Sequence, residues 1–112
     1  QGHAQAQWNL GTMYDNGYGV LEDDKTAVKW FTKAAEQGHA KAQNSLGTMY
    51  QFGEGVLIEN RRAYMWFSLG SYNGFGYAGE NKEKIAKLMT QANISKAQDM
   101  SSRCLESGYT EC

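Results

Sequence analysis

Apolar residues recur about a helical turn apart through most of the chain, and the whole pattern is written more than once. From Ala4 to Asn16 the positions Ala6, Leu10, Met13 and Tyr14 make one helical stripe, which Gly17-Tyr18-Gly19 ends with a left-handed cap and a tight turn. From Lys25 to Gln37 the stripe is Ala27, Trp30, Phe31 and Ala34. Asp23 and Asp24 stand where they cap that helix and oppose its dipole, and Gly38 stops it. The chain then starts over: QGHAQAQWNLGTMYDNGYGV begins at Gln1 and QGHAKAQNSLGTMYQFGEGV begins at Gln37, an offset of 37 − 1 = 36 residues. The spacing predicts helices over Ala40–Phe52, started by His39, and over Asn60–Tyr72, where Ala63, Trp66 and Phe67 follow Ala27, Trp30 and Phe31 at the same offset.

A third unit is degenerate but legible. Gly74 and Ala78 keep the phase of Gly38 and Ala42, a helix over Glu80–Met89 carries Ile85 and Leu88, and Thr90 caps a last helix over Gln91–Ser107, ended by Gly108. If Gly108 answers to Gly38, this unit is shorter, 108 − 74 = 34 residues. Self-similarity at such a period means stacked supersecondary units, each unable to bury its apolar face alone. We therefore expect a single all-α domain of repeats at about 1–36, 37–72 and 73–108, with a tail at 109–112, in which short connections make antiparallel helix pairs.

Two details refine the picture. Gly11 lies inside a predicted helix, at a cost of ~1 kcal/mol against alanine, which marks a place where a neighbouring helix comes close. Val20 and Leu21 read as an apolar linker tucked under the first helix pair. The first unit lacks the preceding helix that the second has in Lys33-Ala34-Ala35-Glu36, so the chain reads as the C-terminal part of something longer, with apolar surface exposed at Leu10 and Met13.

Composition narrows the function. A net charge of −1 over 112 residues is not that of a nucleic-acid module, which needs a basic face to neutralise phosphates. No apolar run approaches the ~20 residues of a membrane span. The chain has 13 glycines and no proline, so glycine alone punctuates the turns. His3 and His39 invite a metal or acid–base reading, but layers of helix pairs lie about 10 Å apart, too far for one ion, and both fit helix caps better. Gly17-Tyr18-Gly19 and Gly53-Glu54-Gly55 follow no strand and precede no Lys-Ser/Thr, so they are turns rather than phosphate loops. Glu22-Asp23-Asp24 lacks the alternating acids and glycine of a calcium loop. The Trp30-Phe31 and Trp66-Phe67 pairs sit at core spacing, and no Ser/His/Asp or Cys/His arrangement stands at motif spacing. No cofactor is expected.

The run A-x-A-Q-x-x-L-G-x-M-Y-x-x-G-x-G-V, followed by A-x-x-W-F-x-x-A-A-E-Q-G-H-A, resembles the Sel-1-like repeat, a relative of the tetratricopeptide repeat. The chain departs from the family pattern at Leu21, Leu57 and Gln91, where proline is frequent. The resemblance implies a right-handed α-solenoid of about three antiparallel helix pairs whose first helices line a concave face. It also implies a role as adaptor or scaffold, of a bacterial type in which some members are periplasmic or secreted.

Within this frame Cys104 falls on Ala34 and Cys112 on Ala42, two small residues on adjoining helices. The C-x₇-C spacing with a central glycine resembles the bridged repeats of cysteine-rich members of the family. A disulfide would staple the tail to the last helix, contribute roughly 2–3 kcal/mol by loop entropy, and point to an oxidising compartment. A buried Cys104 thiol with a free tail thiol at Cys112 is the other reading, with a cytoplasmic location. Two thiols without a nearby histidine leave a metal site half empty.

By similarity to tetratricopeptide grooves, the expected contact residues for a protein or peptide partner are Gln5, Trp8, Thr12, Asp15 and Asn16, with Lys41, Asn44, Thr48, Gln51 and Phe52 one layer on. Trp8 reads equally as an aromatic anchor or a packing residue. This weakly charged set suits an extended peptide held by hydrogen bonds and apolar anchors. The alternatives are an enzyme of cell-wall or β-lactam hydrolysis type, for which no nucleophile or perturbed acid is nominated, and a structural spacer within a longer protein.

Overall fold

The computed structural model describes residues 2–112; Gln1, which opens the first predicted unit, lies outside them. Among the described residues there are six helices and no strand: α1 Gly2–Asn16, α2 Asp24–Ala35, α3 Ala40–Phe52, α4 Asn60–Tyr72, α5 Gly76–Ala86 and α6 Gln91–Glu106. Each odd helix packs against the even helix that follows it or against α4, and α2 and α4 also pack on the next odd helix. The result is an α-solenoid of helix pairs, 42 Å along its longest axis.

The repeat is structural as well as textual. After α1 the loop is closed by main-chain bonds from Tyr18 to Met13 (2.9 Å) and from Asp23 to Tyr14 (2.8 Å). After α3 the same pair recurs, from Glu54 to Met49 (2.9 Å) and from Glu59 to Tyr50 (3.0 Å). The even helices share a different ending. The amides of His39, Phe75 and Tyr109 reach back five residues to the carbonyls of Ala34, Gly70 and Cys104, around Gly38, Gly74 and Gly108 at positive φ. This is the Schellman arrangement, in which glycine takes the left-handed position without a Cβ penalty. It fixes Gly108 as the counterpart of Gly38.

Side-chain caps follow the sequence reading closely. Asp23 accepts from the Thr26 amide, His39 Nδ1 from that of Ala42, and Thr90 from that of Asn93. The bounds differ by more than one residue in three places. The first helix starts at Gly2, so His3 lies inside it, exposed, and caps nothing. The second ends at Ala35, two residues early, because the glycine turn begins at Glu36. The fifth runs over Gly76–Ala86 and not Glu80–Met89. Phe75 already has extended geometry at its start, whereas turn bonds from Leu88 to Ile85 and from Met89 to Ala86 end it so that Thr90 can cap α6.

The core has two clusters. The larger gathers Ala4, Phe31, Ala34, Ala35, Leu46, Met49, Met65, Trp66 and Leu69 from the first four helices and adds Cys104; the second joins Ala63, Tyr64, Phe67, Ile85 and Ala97. Close approach at Gly11 is real: a Cβ there would lie 2.6 Å from the Phe31 ring, and at the equivalent Gly47 one would lie 2.7 Å from Phe67. Three expectations about burial need correction. Leu21 is not tucked away but 91% exposed, because Val20 alone turns inward. Trp30 is only half-buried, with Lys29 and Lys33 over its ring, whereas Trp66 is buried. The difference follows from neighbours: α4 packs on α3, α5 and α6, and α2 chiefly on α1 and α3. Leu10 and Met13 are half-buried rather than laid bare.

Cys104 and Cys112 are joined by a disulfide, with Cα atoms 4.6 Å apart. Tyr109, at φ 69°, turns the tail back; its hydroxyl meets Asn73 Nδ2 at 3.0 Å and its ring lies over Gly38. Arg62 donates to the Cys112 main-chain oxygen at 3.1 Å. The tail thus covers the end of the core where the first turn of another odd helix would lie.

Candidate interaction surface

The three odd helices form one side of the molecule, tied together by side-chain hydrogen bonds that recur with the repeat. Trp8 Nε1–H donates to Ser45 Oγ (3.1 Å), and one layer on Asn81 Nδ2 donates to Asn44 Oδ1 (2.9 Å). Asn44 stands where Trp8 stands and Asn81 where Ser45 stands, so both bonds join the same two positions of successive units. A second recurring pair ties the turn after each of the first two even helices to the odd helix before it: Gln37 to Gln7 (2.6 Å) and Asn73 to Gln43 (2.9 Å). Gln43 is fully buried and also donates to the Ala35 carbonyl at 3.0 Å, so both ends of its amide are satisfied where an unpaired group would cost about 1–3 kcal/mol.

The expected contact residues divide into those used internally and those left to solvent. Trp8 is half-buried, packed on the larger core cluster, with His39 5.8 Å from its ring and the Lys41 ammonium 5.5 Å above it. It is chiefly an interlayer packing residue. Thr12 and Thr48 each return a hydroxyl bond to the carbonyl four residues earlier, of Trp8 (3.0 Å) and Asn44 (3.2 Å). Gln5 bonds Asn9 (3.1 Å) and His39 Nε2 (2.9 Å). With Nδ1 accepting from Ala42, His39 carries its proton on Nε2, and burial followed by Lys41 holds its pKa below the ordinary imidazole value. Asn16 donates to the Thr12 carbonyl at 3.1 Å. Lys41 and Phe52 are exposed, and Gln51 is half-exposed.

Asp15, the remaining member of the set, also lies near acidic groups of the first loop. Its carboxyl is pushed up by burial and then by Asp24 and Glu22, on the loop edge of the first unit. Glu54, on the next loop, is raised by burial and then by Asp15, Asp24 and Glu22. Ser45, Asn81 and Gln43 are the structural residues that sequence reading missed. Small polar residues at Asn9, Ser45 and Asn81, each 36 after the last, were the available signal. Among the described residues no helix is long and apolar enough to cross a membrane, and no grouping of histidine, cysteine or acids could hold a metal ion.

Helix pairs stacked by recurring bonds define a helical-repeat protein. The Sel1 repeat model matches residues 4–39 and 40–80 in succession, so the chain belongs to the Sel1 repeat family. Its first segment ends at the His39 cap, where the second odd helix begins. Among solved structures the chain is similar to c5321, described as a protective antigen present in uropathogenic Escherichia coli strains displaying an SLR fold. The identity is 33% over 95% of this chain and 24% of that one, with a TM-score of 0.90. It is also similar to a Sel1 repeat protein from Oxalobacter formigenes, with 36% identity over 73% of this chain and 24% of that one and a TM-score of 0.72. The chain therefore spans about a quarter of the length of each. Curated proteins give no match. Sel1 repeats commonly mediate protein–protein interaction and are typically not catalytic.

Proposed function

We propose that the chain is an adaptor or scaffold module that holds a partner segment on the side formed by α1, α3 and α5, the concave side in this family. The observation that carries this reading is the interlayer ladder. Trp8–Ser45 and Asn44–Asn81 lock the odd helices in register, so the surface is preorganised and little freedom is lost on binding. Contact then falls to the groups the ladder leaves free: Lys41 as a donor on the rim of Trp8, Gln51 as a hydrogen-bonding amide, and Phe52 as an apolar anchor. An extended peptide fits this mixture, with its main chain met by side-chain amides. The disulfide supports a periplasmic or secreted setting, because such bonds persist where the environment is oxidising.

The test is selection of binders from a random peptide library on the wild-type chain, followed by affinity measurement on Lys41→Glu and Phe52→Ser. Both sites are exposed, so folding is preserved. An anchor such as Phe52 is expected to cost at least tenfold, about 1.4 kcal/mol. Selected peptides that bind both variants as tightly as wild type would move the site off this side.

A further inference from the structure

The loops that join odd to even helices carry a surface that packing does not explain. Leu21 is 91% and Leu57 89% exposed, at the same position of successive loops, and Ile58 and Leu88 are also largely exposed. Ile58, Leu88 and the half-buried Met89 form the apolar part of an open cleft of about 310 Å³ between the second and third loops, whose remaining wall is polar and includes the Glu59–Arg61 ion pair. At the other end of the row the first two loops meet tightly, since a Cβ on Gly55 would lie 2.5 Å from the Asp24 carbonyl oxygen. There Asp15, Glu22, Asp24 and Glu54 gather. Among the described residues the ion pairs are Glu59–Arg61 and Asp99–Arg103, so none of these four carboxylates is neutralised by a lysine or arginine.

We propose that this loop edge is a second docking surface, for a short segment of a partner protein that carries a bulky apolar side chain at one end and lysines or arginines at the other. The apolar end enters the Ile58–Leu88 cleft, whose volume suits one Leu, Phe or Trp side chain. The segment crosses Leu57 and Leu21, and its cations meet the carboxylates of the first two loops. The carboxyls of Asp15 and Glu54 are raised first by burial and then by their acidic neighbours, and a cationic partner relieves the second of these. Two layers of about 10 Å each separate the ends, which an extended segment of roughly six residues spans. This surface lies apart from the odd-helix side and does not depend on the reading above.

The experiment is amide chemical-shift mapping of the isotope-labelled chain titrated with the peptide acetyl-Leu-Phe-Ser-Gly-Ser-Gly-Lys-Arg-Lys-amide. A control replaces its three cations by glutamates. We expect shifts at residues 17–24, 53–61 and 87–93, none with the control, and weakening with added salt. Leu88→Ser is expected to raise the dissociation constant about tenfold, and Glu22→Gln with Glu54→Gln about threefold at low salt. Lys41→Glu should change neither the mapped sites nor the affinity, which separates this surface from the odd-helix side. Equal response to the control, shifts centred on α1 and α3, or no shifts at millimolar peptide would overturn the proposal. Concentration-dependent shifts at these loops without peptide would also overturn it, since they would show a second copy of the chain covering the row.

Discussion

Replacing Gly47 by alanine sets two opposing effects of known size against each other. Alanine is favoured over glycine inside a helix by about 0.8–1 kcal/mol, because the unfolded chain loses less freedom. Against this, the new Cβ would lie 2.7 Å from two carbons of the Phe67 ring and 3.1 Å from a third. Carbon atoms rest at about 3.5–4.0 Å, so the ring has to withdraw by roughly 0.8 Å. It has nowhere to go: Phe67 is wholly buried among Ala63, Tyr64, Ile85 and Ala97. Overpacking of this kind costs about 1–3 kcal/mol, so the expected net loss is ~1 kcal/mol, a melting-point decrease of about 4–8 °C for a domain near this size. Urea unfolding followed by far-ultraviolet circular dichroism measures the loss. The Gly47→Ala/Phe67→Leu double variant tests its cause, since the smaller side chain should recover most of it as a coupling energy of about 1 kcal/mol. A higher urea midpoint for Gly47→Ala alone, or zero coupling, would refute the claim that this glycine exists for helix approach.

Four further outcomes follow from burial, the tail and charge. Trp66→Ala should cost about 3–5 kcal/mol as a core truncation, whereas Trp30→Ala, one unit earlier and half-exposed, should cost well under half of that; equal melting points would deny their difference in packing. Cys112→Ser should remove about 2.5 kcal/mol by the loop-entropy relation, matched by adding reductant to the wild-type chain, and an unchanged midpoint in both cases would make the bond incidental. Asp15 has a folded pKa above its unfolded one, so its contribution to stability grows as pH falls through the raised value; Asp15→Asn should stabilise the chain at neutral pH and flatten that rise. His39 has the opposite sense. Its folded pKa is lowered, so stability is lost as pH falls from the ordinary imidazole value towards the lower one, and His39→Asn, which can still cap α3, should abolish that loss in pH-dependent melting curves.

Much of the fold was legible because the chain repeats its own punctuation. Gly17 and Gly53, Gly38 and Gly74, and the caps Asp23 and Thr90 each act within a turn of their own position, so local sequence is enough to place them. What escaped reading depends on neighbours distant in sequence. The start of α5 was missed because Phe75 caps it with backbone geometry alone, with no side-chain bond to announce it. Trp30 and Trp66 look alike in sequence, and only the docking of α6 on α4 distinguishes their surroundings. On the candidate surface, Trp8 and Asn44 are expected contact residues, and what the sequence does not show is that each also bonds a residue 37 positions away, Ser45 and Asn81.

A side chain recurring at one position of successive units has one of two causes: the stack requires it, or something outside the stack does. The odd-helix ladder is the first kind. Its two positions hold Trp with Ser in one layer step and Asn with Asn in the next, so stacking demands a hydrogen bond there and is indifferent to which residues make it. Leu21 and Leu57 are the opposite case: the residue is kept and no contact within the chain uses it, since both are about nine-tenths exposed. Scattered exposed leucines need no explanation. Two at the same loop position, with Ile58 and Leu88 beside a cleft and four carboxylates that make no ion pair, are the observations from which the loop-edge docking surface is proposed. Stacking therefore accounts for the ladder positions of the odd-helix side and does not account for Leu21 and Leu57 on the loop edge.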